Sequence, residues 1–272
     1  MHYENLHRSS VREPWRDTVT SICPTGILHT QVIVPSVVSR TLSPLLALHG
    51  IARDAAELSQ AFADAAEKTG RIVVVPHFPA ATWPVFQRIT RRARPDRALL
   101  ALFGTLRAMD SVFDGPYDIF GFSGGAQLGH RFAMLYPEVV GDLHLGAAGW
   151  YTLPDESTAY PYGLLPRDDR DATWCRLMRD GLNRFLQRRF DIYVGSDDIE
   201  RDDTLRKNDV LDQQQGPNRK ARACSYVAAL NKRRADLDME STARLQVLDD
   251  CGHRFADCAA WGDLAYRVCS AS

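Results

Sequence analysis

The chain has 272 residues, 45% of them apolar and 25% charged, the make-up of a globular protein long enough to bury a large core without disulfides or metals. Its 33 basic and 34 acidic side chains leave a net charge of −1, which argues against nucleic-acid binding, since that relies on a basic surface. Six cysteines are too few for a disulfide scaffold and their spacings match no zinc pattern, so no metal is expected; a bridge between Cys251 and Cys258 is left open. No apolar run approaches the length of a membrane span and the first residues lack a secretion-signal core, so the expectation is a cytoplasmic protein with free thiols and no membrane contact.

Residues 27–35 (ILHTQVIVP) read as a strand, and 45–48 (LLAL) as a short buried one ending at His49-Gly50. A helix is predicted over 54–69: Asp54 and Glu57 make a capping box, Leu58, Phe62, Ala65 and Ala66 share a face, and Gly70 stands where a C-terminal glycine belongs. Residues 71–75 (RIVVV) follow as a strand. Strand, helix and strand within thirty residues form a βαβ unit and imply a parallel sheet. The rhythm then repeats, with a helix over 96–110, strand 117–121, helix 124–136, and strands 143–148, 190–194 and 245–248. Helices over 219–234 and 256–269 flank the last strand. Alternation along the whole chain predicts one doubly wound α/β domain spanning 1–272.

Residues 150–189 break the rhythm. A Pro- and Tyr-rich stretch leads into an amphipathic helix over 172–187 bearing Trp174, Leu177, Met178, Leu182, Phe185 and Leu186. Forty residues exceed a plain crossover, so the segment is read as a cap over the C-terminal ends of the strands, where ligands bind in such sheets. Trp150 and Tyr151 directly follow a strand and are candidate substrate contacts. Arg88, Arg91, Arg92, Arg94 and Arg97, set against Asp96, are read as a solvated helix start, with a docking patch for acidic partners as the alternative.

Gly121-Phe122-Ser123-Gly124-Gly125 is a G-x-S-x-G sequence that follows a strand and opens a helix, the context this motif demands. A sharp strand-to-helix turn lifts the serine hydroxyl above the sheet, and the positions two before and two after it must be small. The free N–H of Gly124 at the helix N-terminus is aimed at a developing oxyanion.

With these residues in place the sequence resembles the α/β-hydrolase family. The resemblance runs from about residue 27 to 268 and implies a mostly parallel sheet of about eight strands. It also implies the chain order nucleophile, acid, histidine. Of the histidines that follow Ser123, His130 lies two turns into the helix that the serine opens and His144 lies inside an apolar strand. His253, in the loop Asp249-Asp250-Cys251-Gly252-His253, remains. The Gly-x-x-Asp spacing common in the family selects Asp198 as the acid, with Asp197 an immediate rival and Asp202 and Asp203 further away. His49-Gly50-Ile51 is similar to the family's His-Gly-x segment, in which the third residue gives the second oxyanion N–H, here Ile51. Arg53 lies close enough to be a substrate contact or to pair with an acid. The two glycines after the serine and the early His-Gly-x loop look like the polyhydroxybutyrate-depolymerase and dienelactone-hydrolase branches.

The expectation is therefore a serine hydrolase cleaving a carboxylic ester through an acyl-enzyme, with Ser123, His253 and Asp198 as the triad and no cofactor. Its partner would be a small acyl substrate, and a homodimer is left open. Amide, thioester or lactone hydrolysis and acyl transfer run on the same triad. A non-catalytic binder on the same fold is the reading from another class.

Overall fold

A computed structural model describes residues 15–23, 25–90, 94–240 and 243–271. Its centre is one eight-stranded sheet: β1 (Trp15–Cys23), β2 (Gly26–Val34), β3 (Leu45–Leu48), β4 (Val73–His77), β5 (Tyr117–Phe122), β6 (Val140–Gly146), β7 (Phe190–Gly195) and β8 (Arg244–Leu248). The spatial order is β1-β2-β4-β3-β5-β6-β7-β8. β2 is antiparallel to both β1 and β4, and the strands from β4 to β8 run parallel.

Period-two alternation sends successive side chains to opposite faces. Leu46, Val74, Ile119 and Ile192 join one core, packed by α2 (Pro95–Met109), α3 (Gly124–Leu135), α4 (Asp169–Asp180), α5 (Leu182–Leu186) and α7 (Arg219–Ala235). Leu45, Val73, Phe120 and Tyr193 join the other, packed by α1 (Ala55–Thr69), α8 (Phe255–Ala260) and α9 (Leu264–Cys269). A further short helix, α6 (Asp209–Gln215), lies in the connection between β7 and α7.

The helix signals act as the sequence suggests. Asp54 caps α1 by accepting from the Glu57 N–H, a bond typically worth about 1 kcal/mol, and Gly70 ends the helix in the left-handed region at φ 75°. β4 runs two residues further than expected, through Pro76. β3 pairs only with Val73 and Val74, so a residue without an N–H is tolerated beyond that point. The helix expected over 172–187 is two, α4 and α5, interrupted at Gly181. That expected over 256–269 is also two, broken where Asp263 takes φ 49°.

The 150–189 segment divides by role. Its first half is irregular and reaches the cleft described below. Its second half, α4 and α5, packs on α3, and Trp174, Cys175, Met178 and Phe185 are buried in the main core. That half leads into β7, and the start of α4 also borders a cavity through Arg170, Asp171 and Trp174.

All six cysteines are free. Cys251 and Cys258 are in hydrogen-bond contact as thiols, and burial pushes Cys258 up to about 12. Of the arginines beside Asp96, Arg94 is not a solvated charge: it chelates the buried Asp96 at 2.8 and 2.6 Å and lies over the Trp174 ring at 4.5 Å. Arg91 and Arg92 lie outside the described residues. Among the described residues no helix is long and apolar enough to cross a membrane.

Candidate active site

β5 ends at the elbow that the sequence announces. Ser123 adopts φ 52°, ψ −111°, a region that costs a non-glycine residue about 1–3 kcal/mol and persists only where the surroundings enforce it. The enforcement is steric. A Cβ on Gly121 would come within 2.5 Å of the Gly125 backbone, and one on Gly125 within 2.1 Å of the Leu48 carbonyl oxygen. The Ser123 N–H donates to the Gly146 carbonyl at 2.8 Å, tying the turn to β6.

Two loops converge on the hydroxyl. The loop after β7 carries Asp198 and the loop after β8 carries His253. They are joined by backbone bonds: the Asp197 N–H donates to the Cys251 carbonyl (2.9 Å) and the Ser196 N–H to that of Leu248 (2.8 Å). A Cβ on Gly195 would stand 2.0 Å from the Cys251 oxygen, so only glycine permits this approach. His253 Nε2 then lies 3.1 Å from Ser123 Oγ and its Nδ1 lies 2.8 Å from Asp198 Oδ2, while its ring stacks on Phe122. The sequence left two neighbouring acids open. Asp198 is 2% exposed and faces the histidine, whereas Asp197 points to solvent with its carboxylate on the Ser196 hydroxyl.

Arg219, at the start of α7, escaped notice in the sequence because nothing marks it among the many basic residues that open or close helices. It is buried, donates to Asp198 Oδ1 (3.3 Å), grips Asp202 at 2.8 and 3.1 Å, and reaches Thr204. Its hydrogen bonds hold the Asp202 carboxyl well below the usual carboxylate range.

Gly124 and Ile51 also meet. A Cβ on Gly124 would lie 3.4 Å from the Ile51 nitrogen, and neither backbone N–H has a protein acceptor among the described residues. The Ile51 loop is pinned by His49, whose Nδ1–H donates to the Gly50 carbonyl (2.9 Å) and whose Nε2 accepts from the Phe78 N–H (3.0 Å). Burial lowers His49 to about 4, so it stays neutral and keeps both bonds. His130 is fixed similarly between the Ala126 carbonyl and the Thr152 N–H.

The expected substrate contacts fare differently. Trp150 lines the cleft beside Ser123. Tyr151 does not: it is wholly buried and stacked on Tyr226 at 4.1 Å, with its backbone held by Gln215 of α6. Arg53 spends its guanidinium on the carbonyls of Phe78 and Pro84 and lies over the Phe86 ring, bracing the loop rather than facing the cleft. Ser123 stands between two hollows. One, of about 300 Å³, is walled by Ile51, Leu58, Phe122 and Phe255. The other, of about 220 Å³, is more polar and is bordered by Gln87, Arg88, Gln127, Thr204 and Arg206.

No protein-family model matches the sequence, and a search of curated proteins finds no match. Solved structures do match. A poly(aspartic acid) hydrolase from Sphingomonas sp. KT-1 superposes with TM-score 0.77 at 23% identity, covering 94% of this chain and 99% of its own. A poly(3-hydroxybutyrate) depolymerase from Bordetella parapertussis gives 0.73 at 21%, covering 91% and 88%. An S-formylglutathione hydrolase from Agrobacterium tumefaciens gives 0.60 at 13%, covering 98% and 99%. With its strand order, its elbow after the fifth strand and these structural neighbours, the chain has the fold of the α/β hydrolases.

Proposed function

We propose that the protein is a serine hydrolase acting on carboxylic esters. The observation that carries this reading is the unbroken hydrogen-bonded chain from Ser123 Oγ through His253 to Asp198 Oδ2, at 3.1 and 2.8 Å, mounted on the strained elbow. The hydrolase and depolymerase activities of the structural neighbours agree with it.

Ser123 Oγ attacks the ester carbonyl while His253 Nε2 takes its proton. Asp198 accepts from His253 Nδ1–H, fixing the tautomer and stabilising the imidazolium. The N–H groups of Gly124 and Ile51 receive the oxyanion. Collapse of the tetrahedral intermediate expels the alkoxide, which takes the proton from His253 and leaves as the alcohol. Water, deprotonated by the same histidine, then attacks the acyl-enzyme and releases the acid. Trp150 contributes to the wall against which the substrate lies.

Incubation with a fluorophosphonate tests the reading. One adduct is expected, on the peptide containing Ser123, and none on Ser123→Ala. A folded wild-type protein that stays unlabelled and cleaves no ester would overturn it.

A further inference from the structure

Beyond the polar hollow at Ser123 lies a cavity of about 890 Å³. The two spaces share Arg88, Trp150 and Arg206 on their walls, and the larger adds Arg131, Arg167 and Arg170. Five guanidiniums in one cavity invite a count of their partners. Arg167 and Arg170 are answered by Asp171 and Asp168. Asp203, on the wall near Ser123, lies 3.5 Å from Lys207. Arg88, Arg131 and Arg206 have no carboxylate partner among the described residues.

Arg131 is the telling member. It is 1% exposed, on the all-buried helix α3. It donates to neutral groups only: Thr152 Oγ1 (2.9 Å) and the carbonyls of Gln87 (2.7 Å) and Gln127 (2.9 Å). Its second terminal nitrogen, Nη2, is buried without any partner. A buried charge with no counter-ion is expensive, and removing water from it without supplying an anion makes it more so. The guanidinium lies over the Trp150 ring at 4.0 Å, with that of Arg206 5.8 Å from the same ring and 5.7 Å from Tyr162. The like charges oppose one another: burial and then Arg206 lower Arg88, and Arg88 adds to the burial that lowers Arg131 to about 10.

The repulsion is built in rather than incidental. Arg131 fastens the loop that carries Arg88 through the Gln87 carbonyl. Arg222 fastens the loop that carries Arg206 through the Arg206 carbonyl at 2.9 Å. Three cations are thus held facing one space, with donors in the planar fork that suits carboxylates.

We propose that Arg88, Arg131 and Arg206 form an anion subsite continuous with Ser123, so that the ester cleaved carries a carboxylate beside the scissile carbonyl. The inference rests on the serine-hydrolase reading for its chemistry, but the subsite itself is testable without turnover.

Two measurements separate the readings. In the first, the Ser123→Ala protein is titrated calorimetrically with glutarate and with neutral glutaramide. Glutarate is expected to bind and glutaramide not. Arg88→Met and Arg206→Met, both at exposed positions, are expected to weaken glutarate binding by about tenfold or more each, the loss of one charge-assisted contact. Arg131→Met should do the same where it folds, and the two exposed variants carry the test where it does not. Glutarate binding that is absent, or unchanged in both exposed variants, overturns the subsite. In the second, kcat/KM is compared between monomethyl and dimethyl glutarate. The half-ester should be favoured by about tenfold or more, and the ratio should fall in the arginine variants. Cleavage of both esters with equal efficiency sinks the subsite and leaves the hydrolase standing. Arginine-dependent glutarate binding with no labelling of Ser123 sinks the hydrolase and leaves the subsite.

Discussion

One carboxylate separates two residues that look interchangeable in the sequence. Asp198 and Asp197 adjoin, but the turn after β7, closed by the Asp198 N–H on the Gly195 carbonyl, faces one toward His253 and the other toward water. Asp198→Asn should cost on the order of 10⁴ in kcat, because the amide favours the wrong histidine tautomer. Asp197→Asn should change kcat little, since its contribution to the site runs through its backbone N–H. Steady-state rates on a neutral ester rank the pair, and the reverse order would move the acid. Ser123 and His253 were legible because each sits in a local pattern, a strand-to-helix turn and a post-strand loop. Choosing between the acids took a family spacing, and Arg219 left no local trace because its meaning comes from residues 17 and 21 positions away.

Elements were legible in proportion to how well their burial followed hydrophobicity. The elbow is announced by a local motif, but only Gly121 is required by a contact inside the turn; Gly125 is required by the end of β3. Gly125→Ala should therefore abolish soluble expression or unfold the elbow: 2.1 Å to the Leu48 carbonyl leaves no room for a methyl group. Gly252→Ala, beside His253 but with open space around its Cβ position, should fold and keep most of its activity. Thermal melts and fluorophosphonate labelling compare the two, and a stable Gly125→Ala protein would contradict the steric account. β1 shows the opposite case. Val19, Ser21 and Cys23 face inward while Ile22 is 82% exposed, so residues 18–23 alternate in burial but poorly in hydropathy. α6 hides likewise, burying only Leu211 and Gln215 of its seven residues. Gly181 and Asp263 broke helices that an apolar stripe alone made continuous.

At the scale of the molecule, three buried histidines set the response to acid. Burial lowers His49 to about 4 and His144 to about 3, and puts His130 well below its ordinary value. Unfolded, each takes a proton as the pH falls through about 6.5; folded, His49 does so near 4, His144 near 3 and His130 well below its ordinary value. The unfolded chain therefore binds more protons within that window, and stability declines as the pH drops through it. The slope reaches about 1.4 kcal/mol per pH unit for each histidine, or about 4 for the three. Urea midpoints should be level above pH 7.5 and fall steeply between 6.5 and 5. A midpoint unchanged down to pH 5 would show that none of the three rings is held neutral by the fold.

Helix α3 begins at Ser123 and bears Arg131 two turns later, yet the arginine reaches back to the Gln127 carbonyl, one turn from the serine. One turn of helix rises about 5–6 Å. Ser123 and Arg131 are thus graduations on a single rigid rod. A hinge between domains could stretch to suit a longer ligand; a rod buried along its whole length cannot. For the proposed subsite this fixes the spacing: the rod sets the distance between the scissile carbonyl and the carboxylate of the proposed substrate.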